Sequence, residues 1–328
     1  MAAMHDREGA PGHEHGPAGH DHGPAGHVHL HEHGHAAGEG DGRPRIAFIG
    51  AGHVGSALGV AFARAGWDVA AVASRDEAAR ARFAELVPGV RAFAEPQAVL
   101  DEAELVFLTV PDDALAELAG RLLLYSGQAL VHTSGALSAS VLRPAMAAGT
   151  SIGSFHPLVA FADHERALAD LAGATIAIEG DESLLPLLAE LAESIGARPV
   201  RLPEQGKPAY HAAALLAAGG LVGLLDAIAE VARAAGLDER AALAVYLPLA
   251  RQALANAQQL GVDEALTGPF LRGDAGTIGG HLAVLRATAP AALPLYLAVA
   301  RRELAIAERR GLDPARATAI RRLLDAAG

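Results

Sequence analysis

The sequence predicts a doubly wound, mostly parallel α/β sheet followed by an all-α domain, behind a histidine-rich tail that lacks a core. Three observations carry this. From Arg43 to Leu202, apolar runs of strand length alternate with helical stretches, a pattern that requires crossovers and therefore parallel pairing. At Pro203 the strands stop, and long alanine- and leucine-rich helices fill the remainder. Residues 1–42 hold ten of the 16 histidines among glycine, proline and acids, a composition that cannot bury enough apolar surface to fold. The expected domains are a disordered tail (1–42), an α/β domain (43–202) and a helical domain (203–328).

The elements follow in order. RIAFIG reads as the first strand and GHVGSALGVAFARAG as its helix; DVAAVAS is the second strand and SRDEAARARFAEL the next helix. After a short stretch near Val90, AELVFLTV is a buried strand, with a helix from Asp112. QALVHTS, a helix from Ser138, the short strand SIGSF, TIAIEG, a helix from Glu182 and ARPVRL complete the region. Crossovers of this length are right-handed. The helices beyond are interrupted by GLDERAAL, LTGPFLRGDAGT and ATAPAALP. Gly219 and Gly223 share one helix face and permit a close helix approach, within the subunit or across a homodimer.

Composition removes several function classes. The 328 residues include no cysteine, which excludes disulfides, thiolate catalysis and cysteine-ligated zinc. A net charge of −12 argues against nucleic-acid binding. The N-terminus, MAAMHDREGA, has no apolar signal region, so a cytoplasmic location is expected. The longest uncharged run, Pro208 to Leu225, contains His211 and leads into Asp226 and Glu230, which predicts a buried helix rather than a membrane span. In the tail, His13 and His15, His20 and His22, His27 and His29, and His31 and His33 form His-x-His pairs that suit Zn²⁺ or Ni²⁺. A solubilising tail with incidental metal affinity explains them equally, and no catalytic metal is expected. The chain has a single lysine, Lys207, among basic residues that are otherwise arginine. Lysine can exchange a proton near neutral pH when its environment lowers its pKa; arginine cannot.

Gly50, Gly52 and Gly55 form GAGHVG between an apolar strand and a helix. The first glycine makes the tight turn, the second lets backbone approach a pyrophosphate, and the third lets helix and strand pack. With His53 and Val54 they form a dinucleotide phosphate site on the helix N-terminus. At the end of the second strand stand Ser74 and Arg75, where NAD enzymes place an acid for the ribose 2′-OH. An arginine pairs instead with a 2′-phosphate, so NADP is expected and NAD is disfavoured. Asp76 falls late and reads as a helix cap. Val110 and Thr133, at the carboxyl ends of later strands, are assigned to cofactor contact.

GAGHVGSALG, LTVPDDAL, HTSGAL, GSFHPLVAF, KPAYHAAA and LTGPFLRGDAGT occur in that order. Together they resemble a family of Rossmann-like oxidoreductases whose C-terminal domain has no assigned function, over about residues 45–328. The architecture is similar to that of ketopantoate reductase, prephenate dehydrogenase, pyrroline-5-carboxylate reductase and 6-phosphogluconate dehydrogenase. The resemblance implies hydride transfer with NADP between the two domains. It also suggests an alternative ketopantoate reductase acting in pantothenate biosynthesis. The family carries an asparagine further along the helix after YHAAA; here Ala217, Ala218, Gly219 and Gly220 stand in that region.

The residues point the same way. Lys207 and His211 lie four apart and share a helix face. His211 is either a partner of that lysine or a satisfied core histidine. Tyr210 faces elsewhere by spacing, as packing or as a hydrogen-bond donor. His156, in a G-x-H-P-like segment similar to that of prephenate dehydrogenases, either meets a substrate carbonyl or caps local backbone. In LTGPFLRGDAGT, Arg272 suits a substrate carboxylate, with Asp274 and Thr277 orienting it or capping the next helix. The reaction expected is reduction of a small 2-oxo acid by NADPH, with Lys207 delivering the proton and His211 or His156 assisting. A prephenate- or imino-acid-type dehydrogenase is the enzymatic alternative, and a nonenzymatic NADP-sensing or metal-handling protein is the other.

Overall fold

The computed structural model describes residues 42–146, 149–161 and 164–328. The tail histidines expected to suit a metal, His13, His15, His20, His22, His27, His29, His31 and His33, therefore lie outside the described residues. The α/β region runs β1 (Ile46–Ile49), α1 (His53–Arg64), β2 (Val69–Ala73), α2 (Glu77–Leu86), β3 (Arg91–Phe93), β4 (Leu105–Leu108) and α3 (Leu115–Arg121). It continues through β5 (Ala129–His132), β6 (Ser151–Pro157), α4 (His164–Leu171), β7 (Thr175–Gly180), α5 (Leu185–Ser194) and β8 (Arg198–Arg201). The helical region comprises α6 (Lys207–Ala217), α7 (Gly219–Arg233), α8 (Glu239–Leu260), α9 (Val262–Ala265), α10 (Pro269–Arg272), α11 (Ala275–Thr288), α12 (Leu293–Arg309) and α13 (Pro314–Asp325).

The strands form one sheet in the order β3-β2-β1-β4-β5-β6-β7-β8. Reversal of the order about β1 makes it doubly wound, and the central strands show why it must be. All four residues of IAFI in β1 and of LVFL in β4 are buried. Ile46, Phe48, Leu105 and Phe107 enter one core, whereas Ala47, Ile49, Val106 and Leu108 enter the other. A strand with both faces apolar needs cover on both. In the first core Phe107 lies 5.4 Å from Phe48, 5.5 Å from Phe62 and 5.6 Å from Phe155, centroid to centroid. Such ring pairs add roughly 0.5–1.5 kcal/mol each beyond their burial.

Uniform parallel pairing fails at one place. β7 runs antiparallel to β6, and β8 follows β7. The chain leaves β6 at the carboxyl edge and re-enters β7 from that same edge, where Leu158 donates to the Thr175 carbonyl. No crossover of the sheet is needed, so the handedness rule does not apply there. The reversal sets Ser154 directly opposite Glu179. Because Phe155 enters the first core, Ser154 and His156 present to the opposite face.

The Pro208–Leu225 run corrects an expectation. It is helical but not buried: Lys207 is the one buried residue of α6, and α7 buries only Ala229 and Ala232, beyond the run. Leu215, Leu216 and Val222 are exposed, and no atom lies within 4 Å of where a Cβ on Gly223 would stand. The close helix approach suggested by Gly219 and Gly223 is therefore not made within the subunit. Among the described residues, Glu204–Arg233 is long and apolar enough to cross a membrane by length and composition. The helix breaks at Ala218 (φ −110°, ψ −82°), beside Gly219 and Gly220, in the region where the resemblance implies an asparagine.

Candidate active site

The glycine turn has the division of labour its sequence implies. Gly50 adopts φ +113°, and a Cβ there would stand 2.5 Å from the Thr109 carbonyl oxygen. A Cβ on Gly55 would stand 2.4 Å from the Gly50 carbonyl oxygen, so the third glycine is required where the helix meets the strand. At Gly52 nothing lies within 4 Å, which leaves that backbone open to a ligand. Gly52 is the N-cap of α1 and supplies no side-chain hydrogen bond, so the first-turn amides are free for an anion. His53 is exposed and Val54 half-buried beside it. Thr109 was not singled out from sequence, yet its hydroxyl donates to the Gly50 carbonyl at 2.7 Å and pins the turn to β4.

At the tip of β2, Arg75 is exposed and Ser74 half-buried. Asp76 caps α2 by accepting from the Ala79 amide at 3.1 Å, as expected. Arg80 donates to the carbonyls of Ser74 and Arg75, so a second guanidinium, absent from the sequence reading, braces the same tip. Val110 and Thr133 are half-buried just beyond β4 and β5. The two loops are latched to each other, because Ser134 Oγ donates to the Asp112 carboxylate at 2.8 Å and accepts from the amides of Ala136 and Leu137.

Lys207, His156 and His211 come together on the second face of the sheet. The rise of two strand residues, about 6.6 Å, nearly matches that of four helical residues, about 6 Å, so Ser154 and His156 align with Lys207 and the Tyr210–His211 pair. Lys207 Nζ is fully buried and donates to the Ser134 carbonyl at 2.8 Å and to Ser154 Oγ at 2.6 Å. Burial lowers its pKa to about 8, against the opposing pull of the Glu179 and Asp112 carboxylates. The ammonium thus faces the protein, not an open cleft. Above it, His156 Nδ1 lies 3.2 Å from the Tyr210 hydroxyl, and the His156 and His211 rings are 6.0 Å apart. Tyr210 therefore belongs to this cluster, because a residue three on from Lys207 shares its side of the helix. A Cβ on Gly135 would stand 2.5 Å from His211 Nδ1 and 2.6 Å from His156 Nε2, so only glycine fits beneath the two imidazoles.

Burial, with Lys207 and His211 adding to it, lowers the His156 pKa to about 4 and keeps the ring neutral at physiological pH. A neutral imidazole beside a phenol can accept or pass a proton, but it cannot neutralise a carboxylate. His132 is a different case. Its Nδ1 accepts from the Ser134 amide and its Nε2 faces the Ser138 carbonyl, which fixes the tautomer; burial, reinforced by Lys207, takes its pKa to about 3. It braces the loop and handles no proton.

Arg272, Asp274 and Thr277 lie elsewhere in the fold, where α10 and α11 pack on α12 and α13. Asp274 caps α11, accepting from the Thr277 amide at 3.0 Å and its hydroxyl at 2.7 Å, which is the capping reading of that pair. Arg272 is exposed at the end of α10. His281, one turn beyond Thr277, meets the Tyr296 hydroxyl at 3.0 Å.

Residues 33–157 match the model for a Rossmann-like domain, and residues 174–303 match a domain of unknown function, DUF2520. No curated protein matches the chain. Among solved structures, a candidate NADP oxidoreductase of Bacteroides fragilis is 25% identical with a TM-score of 0.65, over 79% of this chain and 97% of its own. Protein TM1727 of Thermotoga maritima is 24% identical with a TM-score of 0.61, over 86% and 98%. The 1-pyrroline-5-carboxylate reductase of Streptococcus pyogenes is 16% identical with a TM-score of 0.57, over 87% and 98%. A Rossmann-like domain is thus followed in this chain by a DUF2520 domain.

Proposed function

We propose that the protein is an NADP-dependent oxidoreductase that moves hydride between NADPH and a small 2-oxo acid, with ketopantoate as first candidate, as a cytoplasmic homodimer. One observation carries the reading. The glycine turn that fits a dinucleotide and His156 belong to one sheet, Tyr210 of α6 meets His156, and the loops after β4 and β5 that lie between them are latched to each other. The B. fragilis relative, a candidate NADP oxidoreductase, supports the same cofactor class. NADPH, held by Gly50, Gly52, His53, Val54, Gly55, Ser74 and Arg75 with Val110 and Thr133, would supply the hydride.

The chain's own residues divide the remaining work. His156 and Tyr210 hold and pass the proton, with His211 at the solvent side. Lys207 is a positioning residue: it holds the Ser134 carbonyl, and hence the Thr133–Gly135 turn, against β6. Arg272 is the candidate anchor for the substrate carboxylate. Reduction of a cyclic imine is the second reading, favoured by the fold of the S. pyogenes reductase and by a cluster without a buried cation pointing outward. Following NADPH absorbance with a panel of 2-oxo acids, ketopantoate first, and with 1-pyrroline-5-carboxylate tests both. Turnover on an oxo acid that disappears in His156→Gln supports the first reading. NADPH binding without turnover on any member removes both.

A further inference from the structure

Two unfinished hydrogen bonds face each other across β6 and β7. Ser154 Oγ accepts from Lys207 Nζ at 2.6 Å, yet among the described residues nothing accepts the hydrogen of its own hydroxyl. Glu179 is only 6% exposed, and its Oε1 accepts from the Ala139 amide at 3.1 Å. Its Oε2 is the one buried side-chain polar atom among the described residues with no hydrogen-bond partner. Ser154 and Glu179 are direct partners in the antiparallel register, so their side chains leave the same face of the sheet as neighbours.

A buried carboxylate oxygen without a donor is costly. A small side-chain shift that sends the Ser154 hydrogen to Oε2 satisfies both groups. It leaves the Lys207 bond intact, because a hydroxyl accepts and donates at once. The contacts then run from Glu179 through Ser154 and Lys207 to the Ser134 carbonyl, in the turn after β5. The charges follow the same order. Burial lowers the Lys207 pKa and raises that of Glu179, and the charge of each opposes the shift in the other. Asp112 adds to the hold on Lys207, while Lys207 weighs against a proton on His132 and on His156. Glu179 also borders a cavity of about 740 Å³ with Arg143, Arg201, Asp181, Glu182 and Glu204 in its wall. Arg201 pairs with Glu182, neither guanidinium bonds Glu179, and Glu204 repels its charge. Lys207 is therefore the cation that answers this carboxylate.

We propose that Glu179 is a positioning residue of the cofactor site: through the Ser154 hydroxyl it anchors the Lys207 ammonium, and so fixes the Thr133–Gly135 turn. The last step rests on the dinucleotide reading above, in which Thr133 meets the cofactor; the anchoring of Lys207 does not.

The chain has a single lysine, so isotope-labelled lysine gives one side-chain NMR signal, and its pH titration reads Lys207 alone. The wild-type midpoint should lie at about 8. In Glu179→Gln it should fall to about 7 or below, because a close opposite charge moves such a midpoint by about one pH unit or more. At pH 8 about a tenth of the lysine would then stay charged, against about half in the wild-type chain, and NADPH should bind about fivefold more weakly. At pH 6 the two chains should bind NADPH alike. If Glu179→Gln does not fold, Glu179→Asp, which draws the charge back by one methylene, should lower the midpoint by a smaller step in the same direction. A midpoint that stays put in the variant that folds, or one that falls while NADPH affinity at pH 8 is unchanged, would overturn the proposal. A chain that binds no NADPH at any pH removes the cofactor reading instead, and the lysine midpoint still decides whether Glu179 holds Lys207.

Discussion

The α/β region and the helices α6 to α8 treat apolar surface in opposite ways. In the sheet the central strands β1, β4 and β5 are buried on both faces by the same chain, and the two cores meet across β1 and β4. In α6 and α7 the apolar side chains mostly face outward: Leu216 is 73% exposed and Val222 67%, in a stretch of mean hydropathy 2.0. The first region covers its central strands from within one chain. The second buries its polar residue, Lys207, and leaves its leucines uncovered. A soluble domain rarely exposes a contiguous apolar face of that kind unless something else covers it. Substitutions in the two regions should therefore fail in different ways.

The largest effect belongs to the glycine turn. In Gly55→Ala the new methyl would meet backbone at Gly50, which cannot move without breaking the β1–α1 junction. A loss of about 3 kcal/mol or more is expected, read as insoluble protein or a collapsed thermal transition. Gly52→Ala should fold normally, since its methyl enters open space, yet weaken NADPH binding by at least about tenfold. A stable, NADPH-binding Gly55→Ala would break the account of the turn.

Acid comes next. His132 and His156 have folded pKa values of about 3 and about 4, below the unfolded value, so the unfolded chain takes up protons first as pH falls. The stability they leave intact at pH 8 is lost as pH drops through 6.5 toward 4, about 2 kcal/mol for each ring by pH 5. Urea melts at pH 8 and pH 5 measure it, and His156→Gln should remove about half of the difference. A flat profile would mean that the rings are open to solvent. Lys207→Met should cost a comparable amount, about 2–4 kcal/mol at pH 7, because the Ser134 carbonyl and Ser154 hydroxyl lose their shared donor. A melt unchanged in Lys207→Met would show that the ammonium does not brace the loop.

How far the sequence carried these conclusions depends on the range of the contacts involved. The glycine turn, the Asp76 cap and the switch from strands to helices after Arg201 are local, and local chemistry reads directly from order and spacing. Lys207 and His156 were also legible, one as the single lysine and the other by its motif. The Asp112–Ser134 latch, the Thr109 pin and the Tyr210–His156 contact were not, since each joins distant residues through a register the sequence does not declare. The same holds for β7, whose direction depends on which sheet edge the chain returns from. At α6 and α7 the difficulty is of another kind: an apolar helix signals burial, but not by what.

The smallest effect on the chain's own stability should come from that uncovered face, and it gives the sharpest comparison with the sheet. A specific dimer buries about 800 Å² on each partner. Leu215, Leu216, Leu221 and Val222 flank the helix break, and Gly223 offers room for a helix to come close. If a second copy covers them, Leu216→Glu with Val222→Glu should leave the monomer's urea transition within about 0.5 kcal/mol at each site, as for other surface changes. The same pair should halve the particle mass measured by light scattering. A wild-type chain that runs as a monomer in buffer would reject self-association, and one that instead partitions into lipid vesicles would make Glu204–Arg233 a membrane segment. In either case the sheet should keep its NADPH affinity, because its cores owe nothing to what covers α6 and α7.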